Sequence, residues 1–170
     1  IVQNAGGGIQ VNSRTGGGTE FHVYLPIVKS STEHQSTQTE ESIQRGTEQI
    51  LLVDDEDAII SMERQMLERL GYQVVSRTSS VEAMEAFRAD PDKFDMVITD
   101  MAMPNMNGDQ LASELIKIRP HIPVLLCTGF SEKIPEEKTE SMGIKGFLMK
   151  PIVKKDLSEK IREVLKNNKN

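Results

Sequence analysis

Asp100 ends the apolar run Met96-Val97-Ile98 and opens a turn that contains Pro104, Asn105, Asn107 and Gly108. A carboxylate at the end of a core strand, with a tight loop built around it, is placed to act as a nucleophile. Attack on phosphorus by such a group gives an aspartyl phosphate. Four other residues stand at comparable points. Asp54 and Asp55 end "QILLVD" and the residue after it, Thr128 ends "IPVLLCT", and Lys150 ends "GFLMK" before Pro151. Carboxylates gathered in one place repel one another and need a cation to stay ionised together. All-oxygen ligands with room for water suit Mg²⁺. Such an ion would screen an incoming phosphoryl group from the attacking carboxylate. Phosphoryl transfer depends on positioning and charge stabilisation. Lys150 can meet a phosphoryl oxygen as a point charge, and Thr128 can donate a hydrogen bond to another. Singly, each residue has a plainer reading: Asp54 and Asp55 as caps, Asp100 as the start of an Asx-turn, Thr128 as a cap, Lys150 as a surface charge. Their coincidence at strand ends weighs the other way.

That coincidence requires elements that bring the strand ends to one edge. Residues 49–168 alternate between short apolar runs and amphipathic stretches. The strands read as "QILLVD", "YQVVSR", "FDMVITD", "IPVLLCT" and "GFLMK". The first helix carries Ile59, Met66, Leu67 and Leu70 on one face and stops at Gly71. The second opens on the Ser caps of "SSVEAMEAFRAD", and the third runs over about Asp109–Ile118 to Pro120. A polar helix is expected over about Glu132–Met142. The last starts near Lys154, with Leu157, Ile161, Val164 and Leu165 on its inner face. Continuous apolar strands are typical of a parallel sheet covered on both faces. The expected fold is therefore α/β, a three-layer α/β/α domain on a five-stranded parallel sheet. In such sheets ligands bind beyond the carboxyl ends of the strands.

Two further regions precede this domain. Residues 1–26 hold two β-like runs, Gly8–Val11 and Glu20–Leu25, around a Gly-rich turn. They are too few to bury a core of their own, so they read as the end of something larger. Residues 27–48, rich in Ser, Thr, Glu and Gln, read as a flexible linker. His34 falls within it as a solvated side chain. The formal net charge of −6 argues against a nucleic-acid surface. No apolar run approaches the ~20 residues of a membrane helix, so no membrane contact is expected of this stretch. The one cysteine, Cys127, excludes an internal disulfide and reads as a buried apolar residue, in keeping with a cytoplasmic location. A membrane anchor of the parent protein would lie upstream.

"ILLVDDE", "ITDMAMPNMNG", "LLCTGF" and "GFLMKP", in this order and at these intervals, resemble the receiver domain of two-component response regulators over about Gln49–Lys166. The resemblance implies a flavodoxin-like receiver fold with strand order 2-1-3-4-5. It implies a Mg²⁺ site of Asp54, Asp55 and Asp100, with the backbone carbonyl of Ala102 as a further ligand, and Asp100 as the phosphorylated residue. It implies that Lys150, commonly followed by a cis peptide to Pro151, and Thr128 act at the phosphoryl group. Thr128 and Phe147 would form a switch that alters the face made by the fourth helix, fifth strand and fifth helix.

"GGGIQVNSRTGGGTEFHVYLP" similarly resembles the last hairpin of a histidine-kinase ATP-binding domain, with Gly18–Phe21 as its Gly-Thr-x-Phe box. That family's other ATP-binding motifs and its phosphorylatable His are not in this sequence; neither His22 nor His121 lies in a suitable helical setting. No ATP binding or autokinase activity is expected. Together the resemblances imply the carboxy-terminal receiver of a hybrid sensor histidine kinase. Its partner would be a histidine kinase or a histidine phosphotransfer domain, and no output domain is expected. The open edges of the hairpin leave fraying, pairing with a neighbour or homodimer formation open.

The alternative enzyme, an aspartyl-phosphate phosphatase of haloacid-dehalogenase type, places a second Asp two residues after its nucleophile; here that residue is Ala102. A flavodoxin-like binding module would have to accommodate the repulsion of Asp54 and Asp55. Ala102 and Phe130 together predict slow self-hydrolysis of the aspartyl phosphate, because Ala102 cannot orient water and Phe130 screens the group.

Overall fold

The computed structural model describes residues 2, 6–26, 44–129 and 143–168. The expected helix over 132–142, Phe130 and His34 lie outside the described residues. The chain divides into two compact units, Ile1–Glu41 and Ser42–Asn170.

The first unit contains β1 (Gly8–Arg14) and β2 (Gly18–Tyr24), an antiparallel hairpin with Val11 opposite Phe21 and Ile9 opposite Val23. Both strands are longer than the polar–apolar alternation suggests, because backbone pairing continues through the polar Asn12–Glu20 and Ser13–Thr19 pairs. Ile9, Val11, Phe21 and Val23 share one face and are all more than half exposed.

The second unit runs β3 (Gln49–Val53), α1 (Asp57–Arg69), β4 (Gln73–Arg77), α2 (Ser80–Ala89), β5 (Met96–Asp100), α3 (Gly108–Ile118), β6 (Val124–Thr128), β7 (Gly146–Met149) and α4 (Lys154–Asn167). A short 3₁₀ turn, Pro91–Lys93, precedes β5. All strand pairs are parallel, in the order β4-β3-β5-β6-β7. This is the flavodoxin-like arrangement expected from the sequence.

Side chains alternate across the sheet, and each face has its own core. Ile50, Leu52, Met96, Ile98, Leu125 and Cys127 face α1 and α4. Leu51, Val53, Val97, Val124 and Leu126 face α2 and α3. The inner face of α4 buries Leu157, Ile161, Val164 and Leu165 as its periodicity predicts, each worth roughly 1.5–3 kcal/mol of transfer free energy. On α1 Leu67 and Leu70 are buried as expected and half-buried Met66 packs against the same core. Ile60, not Ile59, is the buried isoleucine, with Glu63 between it and Leu67. Ser79 caps α2 by accepting from the Val81 amide at 3.2 Å.

Candidate functional site

Parallel strands carry Asp54, Asp100, Thr128 and Lys150 to one edge. Asp54 follows β3, Asp100 ends β5, Thr128 ends β6 and Lys150 follows β7. The adjoining backbone ties these ends together. The Met101 amide donates to the Cys127 carbonyl at 2.9 Å, and the Lys150 amide donates to the Thr128 carbonyl at 2.8 Å.

The loop after Asp100 is pinned at both ends. Asp100 Oδ2 accepts from the Ala102 amide at 3.1 Å. The Gly108 amide donates to the Met101 carbonyl at 2.9 Å. A Cβ on Gly108 would collide with the Asp100 carbonyl, so only glycine lets α3 begin this close to the strand end. Asn105 turns the loop at φ 67°, a left-handed conformation that Asn tolerates. The Asn107 amide donates to Gln110 Oε1 at 3.1 Å at the start of α3.

Lys150 bridges the two buried acids. Its Nζ lies 2.6 Å from Asp100 Oδ1 and 2.8 Å from Asp54 Oδ2. The side chains of Asp54 and Asp100 are 1% and 10% exposed, so little water screens these pairs. Burial works to lower the Lys150 pKa, but the hydrogen bonds that Lys150 donates to Asp100 and Asp54 outweigh it and raise it, holding Lys150 as a cation. Asp54 Oδ1 also accepts from the Glu56 amide at 2.9 Å. The Lys150–Pro151 peptide is cis.

The other predicted residues are placed as follows. Thr128 is buried at the end of β6. Asp55 is exposed, directly after Asp54, and Ala102 is exposed two residues beyond Asp100. Phe147 is half-buried on β7, opposite Leu126, against the α2–α3 side of the core. Cys127 is buried, and burial pushes its thiol well above the ordinary range, which removes it as a nucleophile.

Two carboxylates share one ammonium here, so the cluster is one positive charge short of neutral. Among the described residues no three Asp, Glu, His or Cys side chains form a metal-holding group. One or two carboxylates with water completing the shell is nevertheless the usual protein contribution to a Mg²⁺ site. The hard oxygen donors of Asp54 and Asp100, with Asp55 adjacent, fit that chemistry.

Glu63 is a site neighbour that the sequence reading missed. It is 3% exposed on the inner face of α1. Burial, with the negative charges of Asp54 and Asp100 adding to it, raises its pKa to about 7, against the opposing pull of Lys150. The signal available in the sequence was an acid standing between Ile60 and Leu67 in the apolar stripe of α1.

The response regulator receiver domain family model matches residues 50–162. Over 173 aligned positions the chain is 31% identical to sensor kinase CckA of Brucella abortus, covering 97% of this chain and 18% of CckA. The chain thus spans about a fifth of that relative's length. A receiver domain protein from Clostridium thermocellum superposes with a TM-score of 0.68 at 33% identity, covering 72% of this chain and 97% of the other. The receiver domain of hybrid histidine kinase CckA gives 0.58 at 28% identity, covering 69% and 98%. The chain belongs to the response regulator receiver domain family, and its second unit is a receiver domain of two-component signalling.

Proposed function

We propose that Asp100 accepts a phosphoryl group from a phosphohistidine donor, either a histidine kinase or a histidine phosphotransfer domain. The observation that carries this reading is the Lys150 bridge between Asp54 and Asp100 at the carboxyl edge of the sheet. One carboxylate oxygen of Asp100 attacks phosphorus and forms the new O–P bond. The P–N bond of the phosphoimidazole breaks, its electron pair stays on the ring nitrogen, and a proton from water completes the imidazole. Lys150 leaves its bridge to meet a phosphoryl oxygen, and the Thr128 hydroxyl donates to another.

A Mg²⁺ ion held by Asp54, Asp55 and Asp100, with the Ala102 carbonyl as a further ligand, would supply the missing positive charge. Movement of Thr128 toward the phosphoryl group would free space for Phe147 to turn inward, which changes the β7–α4 face. The division into a kinase-derived hairpin at 1–26, a linker at 27–48 and a receiver at 49–168 belongs to the same reading. An alignment with a sensor kinase over 97% of the chain, which extends past the receiver into the hairpin, supports it. So does the hairpin pairing of Gly8–Arg14 with Gly18–Tyr24. A reduced, buried Cys127 accords with a cytoplasmic location. No helix among the described residues is long and apolar enough to cross a membrane. The phosphatase reading is weaker, because Ala102 stands where that mechanism needs an acid.

The donor class is tested by mixing the chain and Mg²⁺ with a phosphotransfer domain labelled on its histidine. Label should move to the parent chain and not to Asp100→Asn. Label that remains on the donor, with the receiver folded, contradicts the assignment of donor.

A further inference from the structure

Residues 44–48 have a linker's composition, yet they are fastened along their length. Ser158 Oγ on α4 donates to the Gln44 carbonyl at 2.8 Å. The Gly46 amide donates to the Leu70 carbonyl at 3.0 Å at the end of α1. Arg162 of α4 grips Glu48 with both terminal nitrogens, Nη1 to Oε1 at 2.9 Å and Nη2 to Oε2. Its Nε donates to the Tyr72 hydroxyl at 2.9 Å, and the guanidinium lies 5.2 Å from the Tyr72 ring centroid.

The fit is close. A Cβ on Gly46 would collide with the Arg162 guanidinium, the Glu48 carboxylate and the Tyr72 ring. Gly71, at φ +97°, would meet the Gly46 carbonyl if it carried a side chain. The Arg162 and Glu48 side chains are 23% and 19% exposed, so water screens the pair only in part. Arg162 holds the Glu48 carboxyl below its usual range, and Glu48 raises Arg162 in turn. Bidentate charge-assisted bonds of this kind are the strong ones, and they fix geometry.

The helix that holds these residues is also the one attached to the site. Only Pro151–Val153 separate Lys150 from the start of α4. The inner face of α4 packs on the sheet through Leu157, Ile161 and Val164, while Ser158 and Arg162 hold Gln44–Glu48. Everything upstream in the chain joins the receiver through this segment.

We propose that Gln44–Glu48 is a strap that couples the upstream chain to α4. It is held in the unphosphorylated receiver and repositioned when Lys150 turns to a phosphoryl group on Asp100. The coupling rests on the function proposed above; the strap itself does not. A packed helix gripped at two points moves as a unit, so displacement at its start is carried to Ser158 and Arg162. Each strap contact can be broken without touching the acceptor site.

Hydrogen–deuterium exchange on the 170-residue chain tests this. Arg162→Gln and Gly46→Ala should each speed exchange over 44–48 by about tenfold, leave β5 and β6 protected, and still permit phosphorylation of Asp100. In the parent chain, phosphorylation by acetyl phosphate with Mg²⁺ should change exchange over 44–48, and Asp100→Asn should show no change. Unaltered exchange over 44–48 in both strap variants overturns the strap. An adduct on Asp100 with unchanged exchange over 44–48 overturns the coupling alone. No adduct overturns the proposed function and the coupling with it, while the variant arm still decides whether the strap is held.

Discussion

The site works through a small excess of negative charge held out of water. Asp54 and Asp100 share Lys150, and Glu63 lies buried close by. Glu63 gives a pH prediction. Its folded pKa is raised to about 7 from the 4.5 of an ordinary glutamate. Below pH 4.5 it is protonated folded and unfolded and costs nothing. As pH rises toward 7 the unfolded chain releases the proton first, so the folded state loses relative stability. Glu63→Gln should therefore stabilise the Mg²⁺-free protein by about 3 kcal/mol at pH 8 and change little at pH 4. Urea midpoints at the two pH values measure this; equal effects at both contradict it. Ala102 gives a second prediction. Its methyl group offers no hydrogen bond to a water near Asp100, so Ala102→Asn should shorten the lifetime of the aspartyl phosphate, by up to about a hundredfold. Phosphate release after removal of donor measures the lifetime, and an unchanged or longer one contradicts the reading.

At the scale of elements, the proposed acceptor sits where α3 starts tightly against β5. Gly108→Ala would drive its Cβ into the Asp100 carbonyl. The loop must then shift and carry Ala102, whose amide holds Asp100 Oδ2, with it. The expected result is a loss of about 1–3 kcal/mol in stability together with slower phosphorylation. Parental phosphorylation kinetics would show that the close approach is not needed. Much of this was legible in the sequence. Apolar runs such as Gln49–Val53 and Val124–Thr128 have few uses other than buried parallel strands, and the acids, hydroxyl and amine sit where those runs end. On α1 Met66, Leu67 and Leu70 lie against the core as the pattern predicts, and Ile59 alone does not, because Ile59 and Ile60 are adjacent and equally apolar and packing against the sheet selects Ile60. The strap was not legible. The Gly46–Glu48 stretch, Tyr72 and Arg162 lie far apart in sequence, each is ordinary alone, and only the fold brings them together.

At the scale of the whole molecule, the chain consists of two units, and the residues of the proposed acceptor site lie in the second. The receiver has its own core on both faces of its sheet. Removing residues 1–41 should leave the stability of the receiver within ~0.5 kcal/mol and the rate of Asp100 phosphorylation unchanged. Denaturant unfolding of the shortened chain measures the first, and a larger loss would show that the first unit supports the receiver. The central claim is that Asp100 is a Mg²⁺-dependent phosphoacceptor. Its most direct test is the intact mass of the chain after incubation with acetyl phosphate, with and without Mg²⁺, beside Asp100→Asn. The account predicts one added phosphoryl group in the parent with Mg²⁺, and none without Mg²⁺ or in Asp100→Asn. An adduct that persists in Asp100→Asn, or no adduct in the Mg²⁺-loaded parent, would contradict it.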